Sequence, residues 1–226
     1  MIRRVRQALV WRAQQRLDPW VIGRFHDIFY RSGVWGRNRW LGVPVYKNPL
    51  DLFVFQEIIS ETRPDVIVET GTHSGGSALY FASVCQLIGS GEVVSIDVED
   101  VKDIYPDHPR ITYLGGRSST EPDVLREIAA RVEGKRTMVI LDSDHSQHHV
   151  EAELRAYAPF VSEGCYLIVE DSNIGRIRAD LLPGPMQAIE TFLRETTSFE
   201  VDKERERFFV TFNPSGYLRR LPTARP

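Results

Sequence analysis

Asp65-Val-Ile-Val-Glu-Thr-Gly-Thr-His-Ser-Gly-Gly-Ser-Ala-Leu-Tyr-Phe-Ala82 is the stretch whose reading decides the fold. The apolar β-branched run Val66-Ile67-Val68 predicts a buried strand, which Glu69 ends. A glycine-rich turn follows from Gly71 to Gly76, and Ser77 to Ala82 reads as helix. Strand, glycine turn and helix open the nucleotide-binding half of a doubly wound α/β domain. Glycines let the backbone approach a ligand with no Cβ in the way, and the helix start offers free N–H groups. The dinucleotide fingerprint fails here, because His73 stands where its central glycine belongs. A P-loop fails as well, since no lysine lies between Asp65 and Gly91.

Outward from this stretch, apolar strands alternate with helical runs, which argues for α/β layering. A helix opens at Asn48-Pro49-Leu50-Asp51 and stops near Pro64. The second strand, Glu92 to Asp97, ends in an acid; in nucleotide-binding α/β folds that position accepts from the ribose hydroxyls. Ile111–Leu114 is a short third strand, and a helix runs from about Asp123 to Val132. Thr137–Leu141, apolar as a strand buried on both faces should be, and Cys165–Val169 read as strands four and five, with a helix from roughly His149 to Phe160 between them. Their ends carry Asp142, Asp144, Glu170 and Asp171. Acids crowded at neighbouring strand ends repel unless a cation intervenes, and hard oxygen donors favour Mg2+. The competing reading is helix caps and solvated loop ends.

An acid closing the strand before a Gly-x-x-x-Gly turn resembles motif I of class I S-adenosylmethionine (SAM) methyltransferases. Tyr46-Lys47-Asn48-Pro49-Leu50-Asp51-Leu52, Gln56-Glu57-Ile58-Ile59, Arg63 to Thr72, Leu141-Asp142-Ser143-Asp144-His145 and Val169-Glu170-Asp171-Ser172 resemble the cephalosporin hydroxylase / rhamnosyl O-methyltransferase family, over about residues 40–215. The resemblance implies a Rossmann-like class I fold. Its seven-stranded, mostly parallel sheet has helices on both faces and a terminal antiparallel hairpin. It implies SAM-dependent, Mg2+-assisted methylation of a hydroxyl on a sugar (glycolipid or polysaccharide) or natural product. By position the metal ligands fall on Asp144, Glu170 and Asp171, with Asp142 facing the cofactor or supporting the metal. His145, beside Asp144, is the candidate for taking the hydroxyl proton; a structural role competes. The cofactor side is expected at Glu69, Gly71, Thr72, His73, Ser74, Gly75, Ser77, Asp97 and Asp142, with Arg117 and Ser118 toward the adenine. Catechol-type enzymes normally carry Asp-Asn where this chain has Glu170-Asp171, so the former family fits better. Two other readings were open. A non-haem iron hydroxylase needs two histidines and a carboxylate; His149-Val150-Glu151 has the first half of that spacing, but no histidine follows. A non-catalytic SAM- or nucleotide-binding partner subunit would keep the glycine turn and lose the acids, which are all present.

The 226 residues suit one α/β domain with an extension, and a net charge of −3 points to neither nucleic acid nor membrane. The expected organisation is a basic helical extension over 1–45, the methyltransferase domain over 46–215 and a loose tail over 216–226. Residues 1–40 hold nine arginines against Asp18 and Asp27, and Val5, Leu9, Ala13 and Leu17 give a helical apolar face. That arm reads as a subunit contact, making a homo-oligomer, or as a peripheral membrane contact; packing on its own domain is the plainer alternative. Expected partners are a small-molecule or glycan hydroxyl acceptor and no nucleic acid. Cys85 and Cys165 sit in apolar surroundings and read as buried thiols. Together with the lack of a spanning run, this favours the cytoplasm, or the inner face of its membrane. Phe199–Asp202 and Arg207–Phe212 read as the closing hairpin, and Leu181–Pro185 as a wall of the acceptor pocket.

Overall fold

The structure is a computed structural model and describes residues 19–100 and 102–223. The apolar face at Val5, Leu9, Ala13 and Leu17 lies outside the described residues. Residues 19–31 are helical (α1), and a two-stranded hairpin follows, β1 (Arg39–Trp40) and β2 (Val43–Pro44). The domain proper then runs α2 (Pro49–Thr62), β3 (Val66–Thr70), α3 (Gly76–Ile88), β4 (Glu92–Asp97), β5 (Ile111–Gly115), α4 (Pro122–Val132) and β6 (Thr137–Leu141). It closes with α5 (Gln147–Tyr157), β7 (Tyr166–Val169), α6 (Pro185–Glu195), β8 (Phe199–Val201) and β9 (Tyr217–Arg220).

The seven main strands order β5-β4-β3-β6-β7-β9-β8. The first five are parallel, and β9 is antiparallel to both neighbours. Every residue of β3 and β6 is buried, as central strands covered on both faces must be. Alternation splits them. Val66 and Val68 join Ile128 of α4, Leu154 of α5 and Phe192 of α6, while Ile67 joins Phe55 of α2 and Phe81 of α3. Chain direction across the sheet reverses between β3 and β6, and the crevice beyond their carboxyl ends is where a doubly wound sheet binds its ligand.

α2 starts as its sequence dictates. Asn48 accepts from the Leu50 N–H at 3.1 Å, and Pro49 takes the first turn. The helix ends at Arg63 in a left-handed conformation, φ 46°, before Pro64.

The closing hairpin corrects the expectation. Its first strand is β8 as read, but its partner is Tyr217–Arg220, inside the stretch expected to be a loose tail. Arg207–Phe212 is not a strand. Phe212 instead inserts among His26, Tyr30 and Trp35, with ring centroids 5.9, 5.2 and 5.7 Å away. Its N–H donates to buried Asp51 at 2.8 Å. Burying that ring against the N-terminal extension outcompetes the strand that alternation suggested. α1 thus docks on its own domain, through Phe212, through Asn173 donating to His26 at 2.7 Å and through Arg176–Asp27 at 2.9 Å. Trp20, Val21, Phe25 and Ile28 stay exposed on its other side.

Candidate active site

A cleft of about 820 Å3 opens at that crevice. Gly71, His73, Asp97, Ser118, Asp142, Asp144, His145 and Asp171, all singled out from sequence, line it. Thr72, Ser74 and Ser77 line a much smaller cavity behind the glycine turn, shared with Lys47. Glu69, Gly75, Arg117 and Glu170 line neither.

The turn is built by glycine. Gly71 has φ +87°, and a Cβ there would stand 1.9 Å from the Asp142 carbonyl oxygen. The loops after β3 and β6 therefore touch only because residue 71 has no side chain. Asp97 accepts from the N–H of His73 at 2.8 Å and of Glu99 at 2.9 Å, which fixes the turn against the end of β4. Beneath it, Thr72 and Ser95 hydroxyls meet at 2.7 Å, and Ser95 donates to Glu69 at 2.6 Å. Glu69 is fully buried and its Oε1 has no partner. Burial pushes this carboxyl up to about 7, against the pull of Lys47. Arg117 turns away from the cleft onto α4, pairing with Glu127 at 2.6 Å and Asp123 at 2.9 Å.

The acids after β6 and β7 form the other half. One oxygen of Asp142, the Asp171 carboxylate and a His145 nitrogen all lie within 4.8 Å of one another. His145 Nε2 sits 3.4 Å from Asp171 and 3.6 Å from Asp142, near enough for charge attraction but without a hydrogen bond. Burial alone would depress this imidazole; contact with Asp142 and the charges of Asp171, Asp142 and Asp144 overrule it and push it up to about 9. The surrounding acids thus favour the charged ring over the neutral one. Asp171 is pushed up to about 6 by burial and by Asp142. It adopts φ +52°, a conformation costly for a non-glycine residue, and its N–H is held by buried Asn213 at 3.1 Å. Asp144 accepts from the Ser146 N–H at 2.7 Å, ahead of the Ser146 cap of α5. Glu170 is 5% exposed, and burial drives its carboxyl upward while Lys47 opposes this.

Sequence reasoning passed over several residues here. Lys47 lay in a quoted motif, yet its partners stand 95 and 123 positions away. Trp35 and Tyr46 bring aromatic walls to the cleft, Tyr46 packing edge-on to His73 at 4.7 Å. Glu153, fully buried, gathers Ser119 at 2.6 Å and Ser143 at 2.8 Å beneath the Ser118 end. His149 joins that group, 3.4 Å from Glu153, which leaves the iron-binding reading without a geometric basis among the described residues. Cys85 and Cys165 are buried free thiols, as expected.

The arrangement joins a glycine-turn cleft to a cluster of hard oxygen donors. Comparison with known proteins finds relatives along most of the chain. The family model described as "Rhamnosyl O-methyltransferase/CmcI" matches residues 32–221. The rhamnosyl O-methyltransferase of Mycobacterium leprae (strain TN) is 37% identical over 208 residues, 87% of this chain and 89% of that protein. The protein of the same name from Mycobacterium bovis (strain BCG / Pasteur 1173P2) is 36% identical over 211 residues, 88% and 85% respectively. A solved CmcI chain described with Mg and SAM superposes with a TM-score of 0.60 at 22% identity, covering 83% of this chain and 78% of that one.

Proposed function

The chain belongs to the rhamnosyl O-methyltransferase/CmcI family, and from that premise we infer that it transfers the methyl group of SAM to a hydroxyl oxygen with the help of Mg2+. The observation that carries this reading is the single cleft that joins Gly71, His73 and Asp97 to Asp142, Asp144 and Asp171. SAM brings an electrophilic methyl, and a bound Mg2+ lowers the pKa of a hydroxyl it holds. The chain's part is alignment for in-line displacement and control of charge. Asp97 would meet the ribose, Ser118 the adenine end, and the Gly71–Gly75 turn the methionine half. Asp144, Glu170 and Asp171 would hold the metal, Asp142 would support them, and His145 in its neutral form would take the hydroxyl proton. The unpartnered Glu69 Oε1 and His145 Nε2 fit a site built for groups the chain alone does not supply.

The acceptor is a sugar hydroxyl, as the relatives' name suggests. Leu181, Leu182 and Pro183 share a second cleft of about 610 Å3 with Asp144 and His145, which supports their reading as the acceptor wall. The exposed stripe Trp20, Val21, Phe25 and Ile28 supports a subunit contact by α1. Among the described residues no helix is long and apolar enough to cross a membrane. Light scattering on a chain lacking residues 1–40 tests the contact. An unchanged mass alongside lost binding to anionic vesicles would favour a membrane role instead. For the activity itself, calorimetry with SAM, with and without Mg2+, is followed by methyl transfer to rhamnosides. Absence of SAM binding removes the enzyme reading.

A further inference from the structure

Lys47 is 3% exposed, and its ammonium donates to Asp142 at 2.8 Å and to Glu170 at 2.5 Å. The backbone that carries it is held in place. Its own carbonyl accepts from Asn38 at 2.8 Å, and the next residue, Asn48, caps α2 and donates to the Val210 carbonyl at 3.1 Å. Around it stand four buried or half-buried acids, Glu69, Asp142, Glu170 and Asp171, with His145 beside Asp142 and Asp171. Unbalanced, such a cluster would force the loops after β6 and β7 apart.

We propose that Lys47 is a positioning residue, the resident counter-cation of the acid cluster. It holds Asp142 and Glu170 in place while no metal is bound, and its charge weakens the cluster's grip on a divalent ion. The inference rests on the reading that such an ion binds at these acids. Its physics is short-range. An ion held by Glu170 and its neighbours would share them with the Lys47 ammonium, which takes one oxygen of Asp142 and one of Glu170.

The test uses Mn2+ alone on the full chain, with no cofactor or acceptor, and reads free Mn2+ by paramagnetic resonance. Lys47→Met removes charge and hydrogen bonds. Lys47→Gln keeps N–H donors without charge. Lys47→Arg keeps the charge. Both neutral variants are expected to bind Mn2+ more tightly by about tenfold or more, while Lys47→Arg stays within about threefold of the parent. Both neutral variants should also melt earlier without metal and recover with it. Unchanged or weaker Mn2+ binding by Lys47→Gln overturns the proposal, since a merely structural lysine would not tighten metal binding when lost. Failure of both neutral variants to fold even in Mn2+ overturns it too, because a divalent ion would then not replace the ammonium. A parent chain that binds no Mn2+ instead defeats the metal reading itself. Parent binding with unaltered variants defeats only the role of Lys47.

Discussion

The two halves of the cleft are held by different forces. On the glycine side, backbone conformation and hydrogen bonds set the shape: Gly71 at φ +87°, the two N–H groups on Asp97, and the Thr72–Ser95 pair at 2.7 Å. On the acid side, shape follows charge balance. Lys47 ties Asp142 to Glu170, and His145 lies between Asp142 and Asp171. The glycine half should thus be intolerant of added atoms. The acid half should tolerate isosteric change sterically and respond steeply to protons and cations.

The sharpest way to break this contrast is Gly71→Ala. The new methyl would meet the Asp142 carbonyl, at a φ an alanine rarely adopts, so both halves move apart. A stability loss of about 3 kcal/mol is expected, read as an earlier denaturant midpoint, with SAM binding lost in calorimetry. Wild-type SAM affinity in Gly71→Ala would show that the turn does not bind the cofactor.

Next in size is Asp171→Asn, expected to lower methyl transfer about a hundredfold if Asp171 is one of the groups that hold the metal, whose charge stabilisation is worth several kcal/mol when bound. The same series decides between two ligand sets. The family resemblance points to Asp144 with Glu170 and Asp171; the geometry without metal brings together Asp142, His145 and Asp171. Asp144→Asn should weaken Mn2+ binding as much as Asp171→Asn does. Loss in Asp142→Asn with none in Asp144→Asn would transfer the role to the geometric trio.

The pH response follows from the same groups. Asp171 titrates at about 6 in the fold, above the ordinary Asp value, so the fold binds its proton more tightly than the unfolded chain does. Its contribution to metal-free stability is greatest below about pH 4 and declines as pH rises to about 6. Metal binding needs the carboxylate and runs the other way, climbing with pH through about 6 and levelling above it. Mn2+ titrations from pH 5 to 10 check this. A climb continuing to about 9 would mean His145 must lose its proton first, as a nitrogen ligand would require.

What the sequence disclosed follows the same division. Strands β3, β4 and β6 were legible because buried parallel strands are written as continuous apolar runs, with acids or glycine turns at their ends. The partner of β8 was not. Tyr217-Leu-Arg-Arg220 is too short and too basic to read as strand; Arg220 spends its guanidinium on the carbonyls of Ala158 and Val161 at the sheet margin. Arg207–Phe212 mimics a strand because Phe212 serves a cluster set up by α1, about 180 positions earlier in the chain. The crowding of acids at the ends of strands four and five was visible. The lysine that ties two of them together was not, since only folding brings Lys47 to them.

The smallest effect is expected where a sequence-based assignment and the geometry part. Arg117 follows β5, at the position expected to meet adenine, yet its guanidinium faces α4 and is held by Glu127 and Asp123. Those acids raise it further above its ordinary range, through hydrogen bonds to Glu127 first and Asp123 second. Exposed pairs of this kind contribute little to stability, and salt screens what remains. Arg117→Ala should leave SAM affinity within about twofold of the parent, with a melting temperature that hardly moves at ordinary salt. Its backbone N–H, which donates to the Asp97 carbonyl at 3.0 Å, survives the substitution, so the loop keeps its place beside Asp97. Calorimetry of both proteins decides the point. A tenfold weaker SAM complex would mean that the guanidinium leaves Glu127 and Asp123 to meet the cofactor, and the glycine half would then also use charge.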